Sequence, residues 1–120
     1  MKATGRSLLG LLLLVVLVDS ANRWWVGRNE QALGDQVAAQ ARPGDIRMIS
    51  SESCAICLEA RMWLTQNRVP FTECLIERDA TCRADFEALR AAGTPVLVVR
   101  GQAQLGFNAE RLRDALLAPI

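Results

Sequence analysis

Apolar residues fall along this chain in three different rhythms. Residues 7–18, SLLGLLLLVVLV, are an unbroken apolar run closed by Asp19. From 29 to 41, NEQALGDQVAAQA, apolar residues thin out to one stripe, Leu33, Val37 and Ala41, at helical spacing. Arg42-Pro43-Gly44-Asp45 then breaks the helix. Beyond the break, short alternating or β-branched runs take turns with helical ones. IRMIS (46–50) places Ile46, Met48 and Ser50 on one face and predicts a strand. After Ser51, Glu52 and Ser53, the spacing of Leu58, Met62 and Trp63 predicts a core-facing helix through Gln66, with Asn67 as its left-handed cap and Pro70 barring continuation. FTECLI (71–76) reads as a second strand. A second helix bearing Phe86 and Leu89 should follow and end near Gly93. PVLVV (95–99) is a third strand, Gly101-Gln102 a hairpin turn, and AQLGF (103–107) a fourth strand. Asn108 should cap a last helix carrying Leu112, Leu116 and Leu117.

The predicted order is β-α-β-α-β-β-α. A helical crossover makes the first two strands parallel, and the tight turn makes the last two antiparallel. This is an α/β fold on a four-stranded mixed sheet, with a hydrophobic helix at its N-terminus. Three segments are expected: 1–25 as signal peptide or membrane anchor, 26–44 as helical stalk or linker, with a helix packed on the domain as the other reading of 29–41, and 45–120 as the folded domain.

The leader has two readings. Lys2 and Arg6 before a short apolar run fit a secretory signal, with Val18-Asp19-Ser20 as a poor cleavage site. The run is short for a span of about 20 residues, yet Trp24 and Trp25 would suit the far interface of an anchor. Either way, the basic N-terminal flank places the domain on the periplasmic or extracytoplasmic side.

Charge and composition remove several functions. Formal net charge is +1 with both signs interspersed, so no nucleic-acid surface is expected. The chain contains no histidine, which excludes Cys-His and Ser-His nucleophile pairs and every imidazole-bearing zinc site. Four cysteines in 120 residues are too few for a disulfide-framework miniprotein. Chemistry falls to thiols, carboxylates and backbone groups.

Cys54 and Cys57 enclose only Ala55 and Ile56, at the point where a strand gives way to a helix. Free N–H groups and the positive dipole end of a helix favour a thiolate, lowering a cysteine pKa from about 8.5 towards 7. Cys57 lies one turn on and can attack a mixed disulfide formed on Cys54. A zinc site would need Cys74 and Cys82 as well, and their seven-residue gap is wider than zinc sites use. An iron–sulfur cluster needs a better-spaced set. A purely structural bridge between Cys54 and Cys57 would close too small a loop to stabilise much. The preferred reading is a redox dithiol, with Cys54 as nucleophile and Cys57 as resolving thiol. The alternative is a non-catalytic binding module that keeps the pair as a structural bridge.

Residues 45–118 resemble a glutaredoxin-like member of the thioredoxin superfamily. The resemblance rests on the element order, on 54-CAIC-57 at the first strand–helix junction and on 94-TPV-96 opening the third strand, with Pro95 placed 41 residues after Cys54 (95 − 54). It implies a cis Thr94–Pro95 bond facing the dithiol, and Thr94 backbone groups that pair with an extended substrate. It also implies thiol–disulfide exchange on disulfide-bonded proteins, supplied by an upstream electron donor and without a bound cofactor; the uncharged Ala55-Ile56 between the cysteines, which stabilises a thiolate only modestly, points to a reductant or isomerase. Gly106-Phe107-Asn108-Ala109 stands where glutathione-holding members carry Gly-Gly-x-Asp, which leaves glutathione use in doubt. In this respect the chain resembles reductants served by a reductase. Thr94 before the proline resembles periplasmic isomerases.

Cys74 and Cys82 are not explained by the resemblance. An exported domain with an even cysteine count allows a second disulfide between them, and two buried free thiols are equally open. Trp63 is expected in the core, and Glu52, Glu59 and Arg61 on a solvated face.

Overall fold

Ile46–Ser50 forms β1, the strand on which the domain is built. The computed structural model describes residues 3–119, so Lys2 of the leader lies outside them. β1 pairs in parallel with β2 (Thr72–Leu75) and antiparallel with β3 (Val96–Val99), which in turn pairs antiparallel with β4 (Gln102–Leu105). The sheet order is β2-β1-β3-β4. Four helices complete the described chain: α1 (Ala3–Gln40), α2 (Ala55–Gln66), α3 (Ala80–Ala88) and α4 (Ala109–Leu117). The domain has the α/β architecture of thioredoxins and glutaredoxins, with a four-stranded mixed sheet and a long apolar helix before it.

Alternation along the strands sorts the core into two layers. Ile46, Met48, Leu97 and Val99 pack with Ala60 and Leu64 of α2 and Leu112 and Leu116 of α4. Ile49 and Val96 point the other way and pack with Cys82 and Phe86 of α3. Ser50 ends the inward row of β1 and is fully buried, so its hydroxyl must be bonded.

Contacts group the chain into two compact units that meet between Ala32 and Leu33, within α1. In the second unit, the end of α1 is part of the domain. Val37 is fully buried in the larger core cluster, with Leu33, Ala38 and Ala41 packed on it. Gly34 sits against Asn67 so closely that a Cβ there would lie 1.9 Å from Asn67 Oδ1. In the first unit, α1 is long and apolar enough to cross a membrane. Trp24 and Trp25 are exposed, and the Arg28 guanidinium stacks 4.3 Å from the Trp24 ring centre.

Several sequence expectations move. Leu58 and Met62 are 51% exposed; α2 buries Cys57, Ala60 and Leu64 instead. Trp63 is half-buried against Phe107, with ring centres 5.5 Å apart. The left-handed residue after α2 is Arg68 (φ 56), not Asn67, whose side-chain amide donates to the Trp63 carbonyl at 2.8 Å. α3 ends at Ala88, because Arg90 turns left-handed (φ 51) well before Gly93. The hairpin turn is Arg100-Gly101, both at positive φ (49 and 88), so β4 begins at Gln102. Positive φ at both central positions makes this a type I′ turn, which matches strand twist and favours glycine second. Phe107 therefore follows β4, and Leu117 is exposed at the end of α4.

Candidate active site

Cys54 is the residue before α2, in extended conformation (φ −116, ψ 106). Such a residue caps a helix when its side chain accepts from a first-turn N–H, and here the acceptor is the sulfur. The Cys57 N–H donates to Cys54 Sγ at 3.0 Å. Cys54 and Cys57 are joined as a disulfide, with Cα atoms 5.2 Å apart. They are not equivalent. Cys54 is half-buried, whereas Cys57 is fully buried among the core-facing residues of α2.

The Thr94–Pro95 peptide is cis. Pro95 is fully buried at the head of β3, and the Thr94 carbonyl oxygen lies 3.5 Å from Cys54 Sγ. Because β1 pairs with β3, the ends of these strands bring residues 54 and 94 together across 40 positions of sequence.

A cavity of about 650 Å3 opens on the other side of Cys54, towards the end of β2. Ala55, Leu58 and Leu75 give it apolar wall, and Glu52, Arg61 and Arg78 give it charge. These charges are paired rather than free in solvent. Arg78 bonds Glu52, so the carboxylate two residues before Cys54 is compensated. Arg61 grips Glu73 with two bonds of 2.7 and 2.8 Å, and the Ser50 hydroxyl donates to the same carboxylate at 2.8 Å. Burial opposes ionisation of Glu73, but the bonds from Arg61 and Ser50 outweigh it and hold its carboxyl below the ordinary value. The Ser51 hydroxyl does the same for Glu77, which also accepts the Glu52 N–H at 3.2 Å. Arg61 from α2, Ser50 from β1 and Glu73 from β2 thus clamp the cysteine-bearing helix to the sheet. The one signal of this clamp in the sequence is Ser50, a polar residue in the inward register of β1.

Cys74 on β2 and Cys82 on α3 form a second disulfide on the opposite face of the sheet, with Cα atoms 6.0 Å apart. No cluster of three or more metal-ligating side chains occurs among the described residues.

No protein-family model matches the chain, and no curated protein sequence does. Solved structures do. A single-site mutant of the thioredoxin-like protein BC3987 is 26% identical, with a TM-score of 0.56, over 61% of this chain and 95% of that one. A glutaredoxin from Methanosarcina mazei shares the fold at 21% identity and a TM-score of 0.53, over 62% of this chain and 80% of its own. The methanoredoxin of Methanosarcina acetivorans does so at 20% identity and 0.53, over 65% and 90%. The fold and the placement of a cysteine pair at disulfide distance are consistent with redox function.

Proposed function

We propose that the chain is a thiol–disulfide oxidoreductase acting on disulfide-bonded proteins, with Cys54 as nucleophile and Cys57 as resolving thiol. The observation that carries this reading is the asymmetry of the pair: a half-exposed sulfur in the cap of α2, and a buried one a turn behind it. The Cys54 thiolate attacks one sulfur of the substrate disulfide, whose other sulfur leaves as a thiolate. Cys57 then attacks Cys54 Sγ, closing the 54–57 disulfide and releasing the second substrate thiol. Two electrons pass to the substrate, and an upstream dithiol must return them. Thr94 forms the wall beside Cys54 along which an extended substrate backbone would pair, and the buried Pro95 behind it fixes the Thr94 backbone. A purely structural bridge has no need of a half-exposed Cys54.

Ala55 and Ile56 carry no charge, and their side chains donate no hydrogen bond. Stabilisation of the Cys54 thiolate then rests on the helix start, which favours a comparatively reducing couple, nearer about −270 mV than about −120 mV. The protein accordingly works as reductant or isomerase and draws on no bound cofactor. The apolar part of α1 holds it at a membrane with the domain on the extracytoplasmic side. Recovery of a mature chain beginning near Ala21 would overturn the anchor.

The chemistry is tested by Cys57→Ser. This variant should accumulate mixed disulfides on Cys54, visible as reductant-sensitive adducts on non-reducing gels. If the adducts form at another cysteine, or not at all, the assignment is wrong. A measured potential above about −150 mV would contradict the direction.

A further inference from the structure

The mechanism above makes no use of the second disulfide, and two features of it are not those of an inert staple. The first is unequal exposure. β2 is an edge strand, and Cys74 upon it is half-buried, whereas Cys82 in the first turn of α3 is fully buried. Of the two cysteines, only Cys74 keeps any exposure to solvent, so an incoming thiolate is directed to it. The second is a cation on that same sulfur. Arg47, in the next strand, extends its guanidinium across the face of the sheet. Its Nη1 donates to Asp85 of α3 at 2.7 Å, and its Nη2 to Cys74 Sγ at 3.5 Å. A guanidinium beside a cysteine favours the thiolate, which is the nucleophilic and exchangeable form. Among the described residues no guanidinium donates to the Cys82 sulfur. Its N–H, with that of Thr81, is taken by the Asp79 carboxylate that caps α3.

We propose that Cys74–Cys82 is a second thiol-exchange site, opened by a dithiol reductant that attacks Cys74, with Arg47 holding the Cys74 thiolate. One thiolate of the reductant bonds to Cys74 Sγ, the 74–82 bond breaks, and its electron pair leaves with Cys82, which takes a proton. The reductant's second thiol attacks its own sulfur in the mixed disulfide and releases Cys74 as a thiolate beside Arg47. The reductant ends as a disulfide, and two electrons have moved to the protein. Reoxidation runs the other way, with Cys74 as the sulfur that engages an oxidant and Cys82 as the one that resolves it.

The opening has a structural consequence. α3 is the helix on its face of the sheet, and it is held there by a small cluster around Ile49, Val96 and Phe86, by the Arg47–Asp85 pair and by this disulfide. The chain leaving α3 runs directly to Thr94, whose carbonyl oxygen stands 3.5 Å from Cys54 Sγ. Reduction of the second couple removes one of the three ties on the element that leads into the wall beside the first. The exchange at Cys74 itself does not depend on Cys54 being catalytic.

Cleavage after Arg68, Arg78 and Arg83 puts Cys74 and Cys82 on separate tryptic peptides, 69–78 and 79–83. Detergent-solubilised full-length protein, equilibrated in native buffer with dithiothreitol redox pairs, acid-quenched, alkylated and digested, should show the 74–82 bridge opening in a transition of its own. Brief exposure to 2-mercaptoethanol should leave the mixed adduct on the Cys74 peptide at least about tenfold over the Cys82 peptide, as exposure controls exchange. Arg47→Gln, which keeps both cysteines, should slow alkylation of reduced Cys74 near neutral pH severalfold, and Arg47→Lys should restore most of the rate. A bridge that opens only in denaturant, an adduct on Cys82, or an Arg47→Gln protein with unchanged Cys74 reactivity would each overturn the proposal.

Discussion

Helices α2 and α3 begin alike and treat their cysteines differently. Each follows a strand of the parallel pair, each is capped by a residue in extended conformation, and each has a cysteine in its first turn. In α2 the cap is itself a cysteine, so the Cys57 N–H is spent on sulfur. In α3 the cap is Asp79, and the corresponding donors are spent on a carboxylate while Cys82 turns into the core. The position of the sulfur relative to the cap, more than the presence of a helix start, decides whether the start can activate a thiol. The two helices are also fastened by different means. α2 is clamped by the ion pair between Arg61 and Glu73, and α3 by a covalent bond from Cys74 to Cys82.

The largest expected effect separates the two caps. Cys54→Ser should bring the disulfide reductase rate down to that of the uncatalysed reaction, whereas Asp79→Ala should leave turnover in place; an insulin-reduction assay on both variants decides it. Next comes the covalent fastening. Replacing Cys74 and Cys82 together by Ala should lower the stability of the oxidised protein by roughly 2–3 kcal/mol, read from the denaturant midpoint, as expected for a loop of about eight residues. Asp79→Ala should cost about 1 kcal/mol through the lost cap, measured the same way.

The smallest effect concerns acid. The Glu73 carboxyl is held below its ordinary value of 4.5 by Arg61 and Ser50 against the opposing effect of burial. A group depressed in the fold stabilises it fully above the unfolded value, and that stabilisation is lost as pH falls through the folded value. Thermal stability should therefore decline below pH 4.5. Glu73→Gln should flatten that part of the profile, whereas cleavage of the 74–82 bridge by reductant should not.

The sequence announced the architecture through its punctuation. β1 occupies the predicted residues: Ile46, Met48 and Ser50 share one buried face as their spacing implies, and Ile49 is buried on the other. Cys54 and Cys57 could be singled out by their two-residue spacing at a strand–helix junction, and Pro95 only through the resemblance. What escaped was whatever depends on a partner distant in sequence. Leu58 and Met62 form as good an apolar stripe as the true one, but Cys57 and Ala60 are small enough to sit against the sheet, and small residues weigh little in a hydrophobic pattern. The hairpin slipped by one residue because a glycine marks a turn without saying which turn position it fills. Arg61–Glu73 and Arg78–Glu52 join residues 12 and 26 positions apart, which look in the sequence like ordinary solvated charges. Arg47 belongs with these. Its alternation marks a face of β1, but only the parallel register with β2 brings it to Cys74.

The central claim is the inequality of Cys54 and Cys57, and alkylation kinetics of the reduced protein test it most directly. Iodoacetamide at mildly acidic pH, with each site resolved by fragment mass spectrometry of the 48–61 peptide, reports the two thiols in one experiment. The account predicts rapid modification of Cys54 and a Cys57 that stays protected until the protein is unfolded. Modification of Cys57 at the same rate as Cys54, or ahead of it, would contradict the account.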